Sequence, residues 1–153
     1  MVNNINISEA LCSTMPIIDV RSPKEYQQGH IPNAINIPLF SDEERAEVGT
    51  AYKQVSKEAA IEQGTILVNP KLLDFIHNSK KAAPKGSAII HCWRGGMRSQ
   101  SFAKHLSDNG FSELSVITGG YKAYRNHVLD QLEVTIKIKL LGGFTGSGKT
   151  YIL

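Results

Sequence analysis

The apolar residues of this chain fall into short runs separated by polar, helix-compatible stretches. Ala88, Ile89 and Ile90 are consecutive and apolar, the pattern of a strand buried on both faces in the middle of a parallel sheet. Pro16 to Val20, PIIDV, reads the same way and ends at Asp19, and Leu114 to Ile117 predicts another strand. Ile31, Ile35, Ile37 and Leu39 alternate with turn-forming Pro32 and Asn33, which predicts a turn leading into a further strand. Ser22, Pro23 and Glu25 occupy the cap, first and third positions of a capping box, so SPKEYQQGH should be a short helix ending near Gly29. Ser41 and Glu44 repeat that pattern ahead of a polar, helix-prone stretch that Gly49 and Gly64 are expected to interrupt, and whose many charges read as a solvated face. Asn69 and Pro70 read as cap and first residue of a helix through Leu72, Leu73, Phe75 and Ile76. Pro84 to Gly86 forms a turn into the central strand. Phe102, Ala103 and Leu106 give the next helix its apolar stripe, Gly110 caps it, and Tyr121 to Gln131 closes the unit. Strand and helix alternate throughout, which predicts an α/β domain built on a parallel sheet flanked by helices.

Composition changes this picture little. The 153 residues suffice for one packed domain and a fragment, and 41% hydrophobic with 20% charged residues is ordinary for a globular protein. No apolar run approaches the ~20 residues of a membrane span, and MVNNINISEA lacks the basic start and apolar stretch of a signal peptide, so a cytoplasmic location is expected. A net charge of +3 neither establishes nor opposes an anionic partner. The two cysteines, Cys12 and Cys92, lie far apart and form no metal-ligand pattern, and Cys12 reads as a buried small residue.

Candidate chemistry centres on Cys92, at the carboxyl end of the central strand, where ligands bind in open α/β folds. Trp93, Arg94, Gly95, Gly96, Met97 and Arg98 follow it. Gly95 and Gly96 allow a turn sharp enough for successive N–H groups to face the sulfur. Arg94, Arg98 and the positive end of a helix opening near Arg98 all favour thiolate over thiol. The expectation is a reactive thiolate reachable from solvent. His91 should point to the opposite face and be structural, and Trp93 reads as a packing anchor or pocket wall. Asp19 and Arg21 either serve the site or form a structural ion pair beneath it.

A second boundary is expected near Glu133, giving domains 1–132 and 133–153. Beyond it Ile136, Ile138 and Leu140 alternate as a strand that runs into Gly143, Phe144, Thr145, Gly146, Ser147, Gly148, Lys149 and Thr150. That octet satisfies G-x-x-x-x-G-K-[ST], whose backbone amides cradle phosphates while Lys149 neutralises charge and Thr150 ligates Mg²⁺. The helix that should follow is missing at Leu153, which suggests a truncated P-loop domain.

DVRSPKEYQQGHIPNAINIP, HCWRGGMRS and VITGGYKAY together resemble a rhodanese domain over roughly residues 10 to 130. With GGFTGSGKT and SDEERAEVGTAYKQ added, the chain more narrowly resembles the bacterial tRNA 2-selenouridine synthase family, which joins a rhodanese domain to a P-loop domain. The Cys92 to Met97 loop is similar to that of sulfurtransferases rather than to the longer loop of related phosphatases. The resemblance implies a cytoplasmic transferase that replaces sulfur with selenium in wobble 2-thiouridine of tRNA, through an S-geranylated intermediate. Its substrates would be selenophosphate, free or from its supplying enzyme, and geranyl diphosphate, with no tightly bound cofactor. Cys92 would be the catalytic cysteine, handling selenium as a perselenide-type intermediate. The rival readings are a generic rhodanese carrying a Cys92 persulfide and, more distantly, a non-catalytic binding module.

Overall fold

The structure, a computed structural model, describes residues 2–134 and 142–148. Five strands, β1 (Val2–Ile5), β2 (Ile17–Asp19), β3 (Ile35–Asn36), β4 (Ser87–His91) and β5 (Glu113–Ile117), form one sheet in the order β1-β5-β4-β2-β3. Every pairing is parallel, and β4 lies at the centre with Ile89 opposite Ile17 on one side and Ser115 on the other. Ala88, Ile89 and Ile90 are fully buried because both faces of that strand are covered, as their uninterrupted apolar run requires.

The two faces are distinct. Ile18, Val20, Ala88, Ile90, Cys92, Leu114 and Val116 pack on one side with Phe75, Phe102 and Leu106, contributed by α5 (Leu72–Ala82) and α6 (Met97–Asp108). Ile89 and Ile117 point the other way, toward Ala10, Ile31, Tyr121 and Tyr124, where α1 (Ile7–Cys12) and α7 (Gly120–Leu132) lie. This alternation places Cys92 and His91 on opposite faces.

The remaining helices are α2 (Pro23–Gln27), α3 (Asp42–Gln54) and α4 (Lys57–Val68). Both anticipated capping boxes are present: Ser22 accepts from the amide of Glu25 at 3.5 Å and Ser41 from that of Glu44 at 3.2 Å. Gly49 and Gly64, expected to interrupt the polar stretch, instead lie inside α3 and α4, and the break falls at Val55 and Ser56. Gly64 has a packing reason: a Cβ there would meet Phe40 Cζ at 3.2 Å. Asn69 and Pro70 belong to a 3-10 turn, Asn69–Lys71, between α4 and α5, and no side chain caps it. Cys12, expected to be buried, is exposed at the end of α1.

The edge strand β1 and helix α1 have no counterpart in the pattern-based expectation. Asn3 and Asn4 are exposed on β1, so its alternation is lost, and the strand is held by pairing with Leu114 to Ile117. Asn6 then caps α1 through a reciprocal capping box with Glu9, at 2.9 and 3.3 Å. Residues 135–141, where the second strand was expected, and Lys149 to Leu153 lie outside the described residues. Among the described residues no helix is long and apolar enough to cross a membrane.

Candidate active site

Strand β4 ends at His91, and Cys92 is the first residue beyond it, 3% exposed and on the same face as Ile90. The loop then turns through Gly95, whose φ of +66° only glycine adopts without strain, and reaches α6 at Met97, one residue before the expected start. A second segment locks it. The amide of Tyr121 donates to the Cys92 carbonyl at 2.9 Å, and that of Lys122 to the Trp93 carbonyl at 3.0 Å. Backbone approaches backbone here, because a Cβ on Gly120 would sit 2.3 Å from the Cys92 carbonyl oxygen, and one on Gly95 would sit 2.2 Å from that of Ile117. The GG of VITGGYKAY is therefore what allows α7 to clamp the loop.

Burial alone would push the Cys92 thiol up. The Ser99 hydroxyl, the charge of Arg98 and the backbone N–H groups of Ser99 and Arg94 outweigh it, and the thiol titrates below an ordinary cysteine. Ser99 Oγ lies 3.3 Å from the sulfur and 3.0 Å from the Gly96 carbonyl oxygen, so its one proton goes to that carbonyl or, once the sulfur is ionised, to the thiolate. Ser99 was not singled out from the sequence. Its position in the first turn of α6 brings it back beneath the strand end, a signal available only once the helix start is known.

The expected cradle is thus present with different members. The amides acting on sulfur belong to Arg94 and Ser99, and only Arg98 contributes charge, since the side chain of Arg94 is exposed. The expectation of a sulfur reachable from solvent is not met: Cys92 is buried, because the loop folds over it and α7 holds that loop down. A groove of about 510 Å³ lined by Ile35, Pro38, Lys71, Asp74 and Phe75 does not include the Cys92 loop. Met97 is half-exposed, and Trp93 is partly buried with its ring 5.7 Å from that of Tyr121, as a wall of the site.

On the opposite face, Asp19 and Arg21 resolve as a structural pair. Arg21 Nη2 donates to Asp19 Oδ2 at 2.6 Å and to the Gly29 carbonyl at 2.8 Å, its guanidinium lies 3.9 Å from the Tyr121 ring centre, and both residues are essentially inaccessible. His91 completes this cluster, with Nε2 3.6 Å from Asp19 Oδ2. Burial lowers its pKa, the Asp19 carboxylate opposing that fall, so the ring is held neutral.

Of the phosphate-loop candidates, Gly143, Gly146, Ser147 and Gly148 are described and exposed, with Gly146 and Gly148 at φ of +81° and +79°. The Ser147 amide donates to the Phe144 carbonyl at 3.2 Å. Lys149 and Thr150 lie outside the described residues.

A cysteine thus stands at a central strand end, its loop clamped by a second one, with the amides of Arg94 and Ser99 acting on its sulfur. Residues 4–127 match the model of the rhodanese-like domain, and the chain belongs to that family. Within it, the chain is 45% identical over 143 residues to a tRNA 2-selenouridine synthase of Serratia proteamaculans (strain 568), covering 91% of this chain and 38% of that protein. A protein of the same name from Nitrosomonas europaea is 42% identical over 149 residues, covering 90% and 37%. The chain thus spans roughly two fifths of the length of these curated relatives. Among solved structures, the N-terminal domain of a candidate ATP/GTP binding protein from Clostridium difficile 630 superposes with a TM-score of 0.76 at 43% identity, covering 83% of this chain and 99% of that one.

Proposed function

We propose that this chain is the chalcogen-handling part of a tRNA 2-selenouridine synthase, in which Cys92 is the catalytic thiolate. The observation that carries the reading is the 45% identity to a protein of that name across 91% of the chain, joined to a lowered thiol pKa at Cys92. The substrates are selenophosphate and a tRNA whose wobble 2-thiouridine has been S-geranylated, and the setting is cytoplasmic. Gly143, Gly146, Ser147, Gly148, Lys149 and Thr150 would bind phosphate oxygens in the geranyl diphosphate step, with Mg²⁺ at Thr150. That alkylation forms a carbon–sulfur bond and releases diphosphate.

Selenium loading breaks the Se–P bond. The Cys92 thiolate attacks selenium, the bonding pair leaves on phosphorus as phosphite, and a perselenide, S–Se⁻, remains. The amides of Arg94 and Ser99, with Arg98, stabilise the displaced negative charge. Perselenide adds to C2 of the alkylated uridine and geranylthiolate departs as the thiol after protonation. A small-molecule thiol then takes up the Cys92 sulfur as a disulfide, leaving selenium doubly bonded to C2, so each turnover consumes thiol reductant.

Replacing Cys92 with Ser in the full-length protein tests this. Conversion of geranylated thiouridine to selenouridine should fall at least about a hundredfold, the scale on which covalent catalysis is lost, while geranylation persists. Unchanged conversion overturns the reading. A generic sulfur transfer, which the family match alone would allow, is separated by comparing thiosulfate-to-cyanide transfer with selenophosphate use.

A further inference from the structure

At Arg98, in the first turn of the helix that follows the Cys92 loop, one carboxylate oxygen gathers two arginines from distant parts of the chain. Glu25 Oε2 is 3.4 Å from Arg98 Nη1 on α6 and 3.5 Å from Arg45 Nε on α3, and it also accepts from the Ser22 amide at 3.2 Å. Because both guanidinium groups reach the same atom, they are neighbours. Arg98 is the residue whose charge acts on the Cys92 sulfur, and Glu25 links Arg45 to it.

The arrangement is built. The amide of Lys24 donates to Asp42 Oδ1 at 2.9 Å, tying the start of α2 to the start of α3, and the Ser41 capping box fixes the turn that carries Arg45. Lys71 pairs with Glu44 on the adjoining residue. The Arg45 side chain folds back over Gly49, where a Cβ would meet Nη1 at 3.0 Å, and this accounts for a glycine within α3. Arg45, its side chain 36% exposed, meets Glu25 only as an ion pair, and Nε completes no hydrogen bond in that geometry. A donor left unmade is costly, and an oxygen of a bound anion would satisfy it.

We infer that Arg45 and Arg98 together bind the tetrahedral oxyanion of the donor, with Glu25 holding the two guanidinium groups apart and oriented until that anion displaces its carboxylate. Planar guanidinium groups suit this task because each offers paired donors matching two oxygens of a phosphate group. The inference deepens the selenophosphate reading by assigning the phosphate half of the donor to named residues. Arg45 is a substrate-positioning residue, remote from the transferred atom.

Inorganic phosphate is the probe, at constant ionic strength. Labelling of Cys92 by neutral iodoacetamide, followed by mass spectrometry, should slow as phosphate rises, while labelling of exposed Cys12 in the same molecule stays constant. In Arg45→Gln the half-protecting phosphate concentration should rise about tenfold, the scale of one charge-assisted hydrogen bond, and Arg45→Lys should fall between. Glu25→Gln retains the capping-box acceptor and should lower that concentration. Circular dichroism establishes that each variant is folded. The inference is overturned by wild-type protein that phosphate does not protect, by equal slowing at Cys12, by folded Arg45→Gln protected like wild type, or by Glu25→Gln needing more phosphate. Selenium transfer is read separately by comparing full-length wild type with Cys92→Ser, so protection that follows Arg45 while Cys92→Ser converts as well as wild type would remove the functional reading and leave this one standing.

Discussion

Two adjacent residues, His91 and Cys92, lead to two ionic groups on opposite faces of the same strand end, and they are solved differently. On one face Asp19 and Arg21 neutralise each other within hydrogen-bond distance, with Gly29 and Tyr121 filling the remaining valences of the guanidinium. On the other, the Ser99 hydroxyl, the amides of Ser99 and Arg94 and the charge of Arg98 act on Cys92, and Arg98 also pairs with Glu25. In the first group opposite charges meet directly and are sealed from solvent, although His91 Nε2 within it makes no hydrogen bond. In the second, hydrogen-bond donors and the charge of Arg98 favour ionisation of the sulfur against its burial. Burial is nearly equal on the two faces, so exposure does not separate reactive from structural here; the direct meeting of opposite charges does.

The sharpest way to break this contrast is to open the first group. Asp19→Ala leaves the Arg21 charge buried and unpaired and should cost about 3–5 kcal/mol of stability by urea denaturation, with loss of activity following loss of fold. The next effect is at the clamp. Gly120→Ala must place a Cβ against the Cys92 carbonyl at a φ of +57°, and should cost about 2–3 kcal/mol through strain and displaced backbone. Its distinguishing mark is that the folded variant should also lose the lowered thiol pKa, read as the pH profile of Cys92 alkylation.

Ser99→Ala is gentler and more specific. Removing one hydroxyl partner should cost about 1 kcal/mol and move the alkylation profile to higher pH, because a hydrogen bond to the thiolate is lost. The linked stability change has a definite sign. Cys92 is an acid whose pKa the fold lowers from its ordinary value, so between the folded and unfolded values the unfolded chain binds more protons and stability rises with pH. That increment is complete above the unfolded value and lost as pH falls through the folded one. It should be reduced in Ser99→Ala and absent in Cys92→Ser. His91, a base whose pKa is lowered by burial, gives a second window: below its ordinary value of 6.5 the unfolded chain takes up the proton first, so stability falls with acid. His91→Asn should flatten that limb. The smallest effect is expected at Cys12, where Ser substitution on an exposed helix end should stay within about 0.5 kcal/mol and leave Cys92 labelling unchanged.

What the sequence makes legible follows from how local each signal is. The run Ala88 to Ile90 carries its own burial on both faces, and Ser22 with Glu25 and Ser41 with Glu44 carry their own helix starts, so the central strand and two helices are readable without tertiary information. β1 is not readable, because Asn3 and Asn4 are exposed and the strand exists through β5. Gly49 and Gly64 mislead for a related reason: taken as breakers, they are places where Arg45 and Phe40 need room. At the site, Cys92 and its loop stand out, while the sharing of Glu25 between Arg45 and Arg98 spans 73 residues on one side and could not be read from spacing. Asp19 and Arg21 were open between catalysis and support, and only the second face of the sheet decides between them.

Tyr121 and Lys122 spend their peptide hydrogens on the carbonyls of Cys92 and Trp93. Those two protons can therefore leave for solvent only when the nucleophile's own backbone comes loose from α7. Deuterium uptake at two consecutive amides becomes a ligand-free gauge of whether the Cys92 loop is held in shape, legible in the resting protein.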